Sequence, residues 1–306
     1  MKAFVMSPAP HIHSGASTSR VMLDVIIALL PAGIAAVVIF GIQALWIILT
    51  CVLAAVVSEA LYNLCARQKQ TVGDLSAVVT GLLLALNLST NVPLWQCVLG
   101  SAFAIIVVKC LFGGLGCNLA NPAITGRVFM LIAFSAVAGG ANPAGVELVS
   151  SATPLELLGT EAELPSLLSM FLGTYGGAIG ETSSLALLIG FAWLLWRKVI
   201  SWHIPVVFIA TVFVLSLVSG GADIARYEIL AGGLFLGAIF MATDYVTSPI
   251  TRKGKLVFAV GCGLITFVIR QFCAYPEGVS FSILIMNIFV PLIERYTRNI
   301  PLGGGK

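Results

Sequence analysis

The feature that most limits this chain is its shortage of charge. Only 16 basic and 13 acidic side chains are spread over 306 residues, or 9% of the chain. An ordinary soluble domain has about 25%. A chain this poor in charge has too little polar surface to coat a globule in water. Apolar residues make up 59% of it, and the mean hydropathy is +1.05. The solvent it is built for is lipid. At roughly 20 residues per crossing, its length has room for at most about a dozen helices.

The same inventory narrows the chemistry. The 7 cysteines, Cys51, Cys65, Cys97, Cys110, Cys117, Cys262 and Cys273, fall mostly inside apolar runs. None pairs with another at the C-x-x-C spacing of a zinc or cluster site, so they read as small apolar fillers. His11, His13 and His203 are too scattered to suggest a haem or a metal cage. Residues 1–20 are polar, and no small-residue cleavage site follows the first apolar run. That run therefore reads as a span and not as a signal sequence. Basic residues are too sparse for nucleic acid.

Apolar runs bounded by charge or turn residues place spans at about 21–42, 44–65, 77–90, 94–112, 122–140, 183–197, 203–219, 228–243, 256–273 and 280–295. The third, sixth and eighth are short for a 30 Å crossing, as broken helices inside a bundle are. With ten spans, Lys2, Arg20, Arg67, Lys69, Lys109, Arg127, Arg197, Lys198, Arg252, Lys253, Lys255, Arg295, Arg298 and Lys306 all fall on one face. Arg226 and Arg270 alone fall on the other. The positive-inside bias then puts both termini in the cytoplasm.

The spans divide five and five. Gly81-Leu-Leu-Leu-Ala-Leu-Asn-Leu-Ser-Thr90 opens the third, and Gly233-Leu-Phe-Leu-Gly-Ala-Ile-Phe-Met-Ala-Thr243 fills the eighth; each is followed by a proline, Pro93 or Pro249. An odd number per half forces the second copy upside down. The expected fold is an all-α polytopic membrane protein, two inverted five-helix repeats with short or broken helices. Its parts are a cytoplasmic tail (1–20), a first repeat (21–140), an extracytoplasmic loop (141–182), a second repeat (183–297) and a cytoplasmic tail (298–306).

The loop carries Glu147, Glu156, Glu161, Glu163 and Glu181 and no Lys or Arg. Leu164, Leu167, Leu168, Phe171, Leu172 and Tyr175 recur in it at helical spacing. Pro165 suits a first turn, so the spacing predicts an amphipathic helix lying in the outer interface. Upstream stands Ser150-Ser-Ala-Thr153 before Pro154. Proline holds Thr153 out of the helical region. Read on residues alone, Thr153 is either a helix cap or an accessible hydroxyl for modification. Three acids lie in or near spans, Asp24, Glu59 and Asp244. Intramembrane acids are costly and often mark ion pathways, while Asp24 and Asp244 sit close enough to span ends to reach headgroups. Asn118, Asn121 and Pro122 follow a glycine-rich turn, either as a helix entry capped by Asn or as the wall of a cofactor pocket. Gly113-Gly-Leu-Gly116 lacks the strand context of a dinucleotide motif, so no NAD site is expected.

Six stretches, in order, resemble one family: Ser7-Pro-Ala-Pro-His-Ile12, Val21-Met-Leu-Asp-Val-Ile-Ile-Ala-Leu-Leu-Pro-Ala32, Gly81-Leu-Leu-Leu-Ala-Leu-Asn87, Gly113-Gly-Leu-Gly-Cys-Asn-Leu-Ala-Asn-Pro-Ala123, Phe240-Met-Ala-Thr-Asp-Tyr-Val-Thr-Ser-Pro249 and Gly278-Val-Ser-Phe-Ser-Ile-Leu-Ile-Met-Asn287. The chain resembles the RnfD subunit of Rnf electron-transport complexes and, more distantly, the NqrB subunit of sodium-pumping quinone reductases. The resemblance implies FMN bound through a phosphoester to Thr153 in the motif Ser150, Ser151, Ala152, Thr153. Ser151 stands where the family usually has Gly, and Glu147 where an Asp is common. It further implies non-covalent riboflavin and maturation by a flavin transferase. The implied partners are a second subunit with covalent FMN, two small membrane subunits, and iron–sulfur and NADH-binding subunits. The implied function is ferredoxin:NAD+ electron transfer coupled to Na+ or H+ transport in a prokaryotic inner membrane, with the Thr153 loop outside and no catalysis by this chain alone. Rival readings are an NqrB-type subunit, a solute channel or transporter of urea-channel-like fold, and a scaffold that only anchors partners.

Overall fold

A computed structural model describes residues 17–134, 155, 165–273 and 278–298. It is all-helical there. The helices are α1 (Thr18–Phe40), α2 (Ile42–Cys65), α3 (Ser76–Leu86), α4 (Leu94–Ala102, running on as a π-helix through Phe103–Cys110), α5 (Pro122–Ala133), α6 (Leu167–Leu172), α7 (Ser184–Trp196), α8 (His203–Leu230), α9 (Leu234–Leu236, with π turns over Gly237–Met241), α10 (Arg252–Phe272) and α11 (Gly278–Thr297). Five of them, α1, α2, α8, α10 and α11, are long and apolar enough to cross a membrane. Helices α3, α4 with its extension, α5 and α7 are apolar but shorter.

The packing is that of a protein solvated by lipid. Leu23, Leu30, Ile34 and Val38 of α1 and Leu49, Leu53, Val57, Leu61 and Leu64 of α2 are exposed, mostly at steps of three or four residues. The buried faces carry small residues instead, Ala28, Ala32 and Ala36 on α1 and Ala44 and Ala55 on α2. Lipid is as apolar as leucine, so close backbone approach and dispersion hold such helices together. A Cβ on Gly81 would sit 2.8 Å from the Cys51 carbonyl oxygen and from Val52 Cα, so glycine sets the α2–α3 distance. Gly190 does the same for α7 against the Ala28 carbonyl of α1. The two halves of the chain meet along α1–α7 and α5–α11.

Local chemistry explains where elements start. Ser17, Asn121, Ser166, Ser183 and Thr251 each cap a helix through the side chain. Helices α3 and α9 begin alike. Each follows a residue in the left-handed region, Leu75 at φ 65° and Gly233 at φ 64°. Their C-terminal ends meet, where Asn87 Nδ2 lies 3.4 Å from Met241 Sδ.

Several expectations need correction. The eighth span, placed at 228–243, is not one helix. Residues up to Leu230 close α8, and α9 begins only after a turn at Gly232 and Gly233, both with positive φ. Helix α8 also folds on itself. Gly221 has φ 82° and ψ 178°, and the Ser216 hydroxyl donates to the Glu228 carboxylate. On a straight helix those residues would be about 18 Å apart. The amphipathic helix predicted from Pro165 to Tyr175 is one turn and a half, Leu167–Leu172, capped by Ser166 and closed by Gly173 at φ 101°. The fifth span leaves the helix at Phe134, and its expected end at 140 lies outside the described residues. Lys109 and Arg127, counted above as surface charges, are buried at 2% and 1% exposure.

Candidate functional site

The motif Ser150, Ser151, Ala152, Thr153 lies outside the described residues. Leu155, two positions along the chain, is described. It packs with Met170, Tyr175, Ala231, Tyr227 and Leu230. Its Cδ2 would lie 3.4 Å from a Cβ on Gly232. That turn is pinned by Arg270, whose guanidinium donates to the carbonyls of Glu228 (2.6 Å), Ala231 (3.1 Å) and Gly232 (3.2 Å). Two buried carboxylates flank it. Glu228 also accepts from Gln271 (3.1 Å), and Glu181 accepts from the Ala178 amide (2.9 Å).

Of the other sequence candidates, Asn118, Asn121, Pro122 and Asp244 line one cavity. It holds about 740 Å³ counting its open mouth, and Ser76, Thr80, Lys109, Asn118, Thr243 and Asp244 supply its polar wall. Its apolar wall includes Met22, Val25, Leu194 and Phe240. Asp244 lines the space directly, Asp24 stands between Met22 and Val25 in sequence, and Glu59 lies behind Lys109. The three candidate acids are in different states. Asp24 is tied to Arg197, with Nε to Oδ1 at 3.1 Å and Nη2 to Oδ2 at 3.2 Å. The guanidinium is half exposed, so water screens that pair.

Glu59 is only 1% exposed. Lys109 Nζ reaches its Oε2 at 2.8 Å and the Ser76 hydroxyl at 2.6 Å. Ser76 in turn donates to Asp74, and the Thr71 hydroxyl donates to Glu59. Every charge in this chain of contacts has an opposite charge or hydroxyl against it, as a buried pair requires. Sequence reading found Glu59 but not its partner, because composition gives no sign of which lysine turns inward. A matching acid in the second half, Glu228 in the apolar run Tyr227-Glu-Ile-Leu230, was also missed. Its signal is the one that found Glu59, an acid within an apolar run.

Asp244 lies in the turn after α9, outside the helical spans, and lines the cavity. It accepts from the Thr247 hydroxyl at 3.0 Å and forms no ion pair among the described residues. Burial pushes its carboxyl above the usual carboxylate range, offset in part by hydrogen bonds from Thr247 and Val246.

The two asparagines separate. Asn121 is a helix cap: its Oδ1 accepts from the amides of Ala123 (3.0 Å) and Ile124 (3.4 Å), and its Nδ2 donates to the Met241 carbonyl (3.2 Å). Pro122 is the first residue of α5, where its missing N–H costs nothing. Asn118 has no such duty. Its Oδ1 is buried on the cavity wall with no hydrogen-bond partner among the described residues. A buried, unmatched acceptor is costly, and a donor group on a ligand would relieve it.

The family model described as NQR2, RnfD, RnfE matches residues 5–303. The chain is 47% identical over 298 residues to the D subunit of the Na(+)-translocating ferredoxin:NAD(+) oxidoreductase complex of Acetobacterium woodii, covering 96% of this chain and 93% of that one. It is 40% identical over 318 residues to the D subunit of the proton-translocating ferredoxin:NAD(+) oxidoreductase complex of Clostridium ljungdahlii, covering 98% and 96%. To the D subunit of the ion-translocating oxidoreductase complex of Stutzerimonas stutzeri it is 40% identical over 325 residues, covering 92% and 91%. Matched from end to end by the family model and by three subunits of one kind, the chain belongs to the NQR2, RnfD, RnfE family.

Proposed function

We propose that this chain is the RnfD subunit of an ion-translocating ferredoxin:NAD+ oxidoreductase in a prokaryotic inner membrane. It relays electrons there and is not a catalyst alone. The observation that carries this reading is the near full-length likeness to two subunits with that printed activity, one Na+-translocating and one proton-translocating. Partners follow from the same reading: a second flavin-bearing subunit, two small membrane subunits, iron–sulfur and NADH-binding subunits, and a flavin transferase for maturation. The finer architecture, ten crossings as two inverted repeats with both termini cytoplasmic, draws support from the paired features of the halves. A left-handed residue precedes a short helix in each. Each also has a buried acid in its second helix, Glu59 in α2 or Glu228 in α8.

Thr153 carries FMN by a phosphoester in this reading, on the extracytoplasmic side. A flavin, once bound, takes up and passes on electrons singly or in pairs. The chain's own part is position. Leu155, two residues along the chain from Thr153, packs against the Gly232 turn that Arg270 holds. Asn118 suits a second, non-covalent flavin in the largely apolar cavity that it lines, because its buried acceptor matches a ring N–H. Asn121 lines the same cavity, but its amide is taken up in capping α5 and in donating to the Met241 carbonyl. Of the three acids, Asp244 is the one poised to carry the transported ion or proton. Asp24 and Glu59 already hold Arg197 and Lys109.

The test is the intact mass of the purified chain with in-gel flavin fluorescence, wild type against Thr153→Ala, each co-expressed with a flavin transferase. One added FMN in the wild type, lost in the variant along with ferredoxin:NAD+ activity while the complex still assembles, supports the reading. No adduct on the wild-type chain refutes covalent flavin at Thr153.

A further inference from the structure

A second cavity opens at the end of the bundle where α7 passes to α8 and where the turn after α9 leads into α10. It holds about 730 Å³ counting its mouth. Its polar lining includes two ammonium groups and two aliphatic hydroxyls near its mouth: Lys198, Lys255, Ser201 and Ser248. No acid lines it. Lys198 sits at φ 56°, a region that non-glycine residues enter at a cost, so the turn that presents it is held by its surroundings. Lys255 Nζ donates to the Ser201 hydroxyl at 3.3 Å. Ser248 is only 8% exposed, and its hydroxyl makes no hydrogen bond among the described residues. A serine that lines the same cavity as two lysines, its hydroxyl donor not spent on another group of the described residues, suits an anionic acceptor.

Of the nearby acids, Asp24 is paired with Arg197, Asp244 accepts from the Thr247 hydroxyl, and Glu294 accepts from the Ile250 amide at 3.0 Å, so the cations Lys198 and Lys255 of the lining are not ion-paired with any of the three. Arg252 and Lys253 add two more cations beside Lys255 on the first turn of α10. At the rim, Trp202 and Tyr245 are each 53% exposed and Ile250 is 79% exposed. Aromatic rings mixed with basic residues at helix ends mark the level of lipid headgroups. An anion here has apolar side chains beneath it and water above.

We infer that this cavity binds the phosphate ester of an anionic phospholipid. The phosphate would accept from Lys198, Lys255 and Ser248, and the acyl chains would run down past Ile204 and Ile250. Basic pockets between helices at a membrane face are built for such headgroups. The inference does not depend on flavin at either place, although Val199, Ile200, Thr243 and Tyr245 form a wall common to both cavities.

The experiment uses the assembled complex, stripped of lipid in detergent, titrated with phosphatidylglycerol or phosphatidylcholine and read by native mass spectrometry. The wild type should retain phosphatidylglycerol in preference. Lys198→Gly with Lys255→Gln, which leaves the backbone at 198 unstrained, should weaken that retention roughly thirtyfold. Ser248→Ala should weaken it several-fold, and Lys255→Arg should restore most of it. Equal retention of the two lipids, or no change in the double variant, overturns the site. Displacement of the lipid by millimolar inorganic phosphate overturns the lipid assignment and makes this a site for a soluble phosphate.

Discussion

Buried charge is tolerable only where its partner comes with it. Glu59 and Lys109 are both all but sealed from solvent, so each is the other's counter-charge. Glu59→Gln or Lys109→Met alone should cost about 3–5 kcal/mol, because the survivor is left unpaired, while the double variant should recover most of the loss. Unfolding of the purified protein by a denaturing detergent measures this. Equal losses in single and double variants would show that the pair contributes nothing beyond packing. Asp244 belongs to the same scale with the opposite logic. Asp244→Asn should leave folding and flavin content unchanged but abolish ion uptake by reconstituted vesicles during electron transfer. Of this site, Asp24, Glu59 and Asp244 were legible in the sequence as acids in or near apolar runs, whereas Glu228, in a similar run, was not picked out. That Asn121 is used up as a cap while Asn118 is not was hidden. The difference depends on which carbonyl, here Met241's, a distant turn delivers.

Single glycines govern how the elements approach one another. Gly190 lies against the Ala28 carbonyl, and even one added methyl must push α7 off α1. Gly190→Ala should lower stability by about 1–3 kcal/mol and weaken the contact between the halves. Gly33 on α1 has open space around it, so Gly33→Ala should be harmless or slightly stabilising. Comparing the thermal aggregation midpoints of the two variants separates close packing from loss of glycine in general. Helices bounded by charge or turn residues were legible: α1, α2, α7, α10 and α11 start and stop within a few residues of their expected ends. The run 228–243 was not. Its apolar content is continuous, while its backbone turns at Gly232 and Gly233. Hydropathy reports what surrounds a residue, and only backbone angles report where a helix breaks.

Orientation belongs to the whole molecule. Three cysteines among the described residues are exposed, Cys65, Cys117 and Cys273. The proposed topology puts the first two in the cytoplasm and the third outside. In intact cells, a membrane-impermeant maleimide should modify Cys273 alone, and lysis should admit it to Cys65 and Cys117. Labelling of Cys65 in intact cells would invert the orientation. The charge bias behind this topology was read from the sequence; of its fourteen basic residues, Lys109 and Arg127 lie buried inside the bundle.

The brevity of α3 bears on how the chain is made. It has 11 residues, about 16 Å of helix, roughly half of a 30 Å hydrocarbon core. Released singly into lipid as it leaves the insertion machinery, it would leave backbone groups unmatched in hydrocarbon at one end. Its Gly81 face fits only against α2, and its first turn is completed by Lys109, which is synthesised about 30 residues later. The early helices must therefore wait, sheltered together, until α4 has emerged. A nascent chain halted just past Leu86 should stay bound to the insertion machinery, whereas one halted beyond Cys110 should be free to leave it.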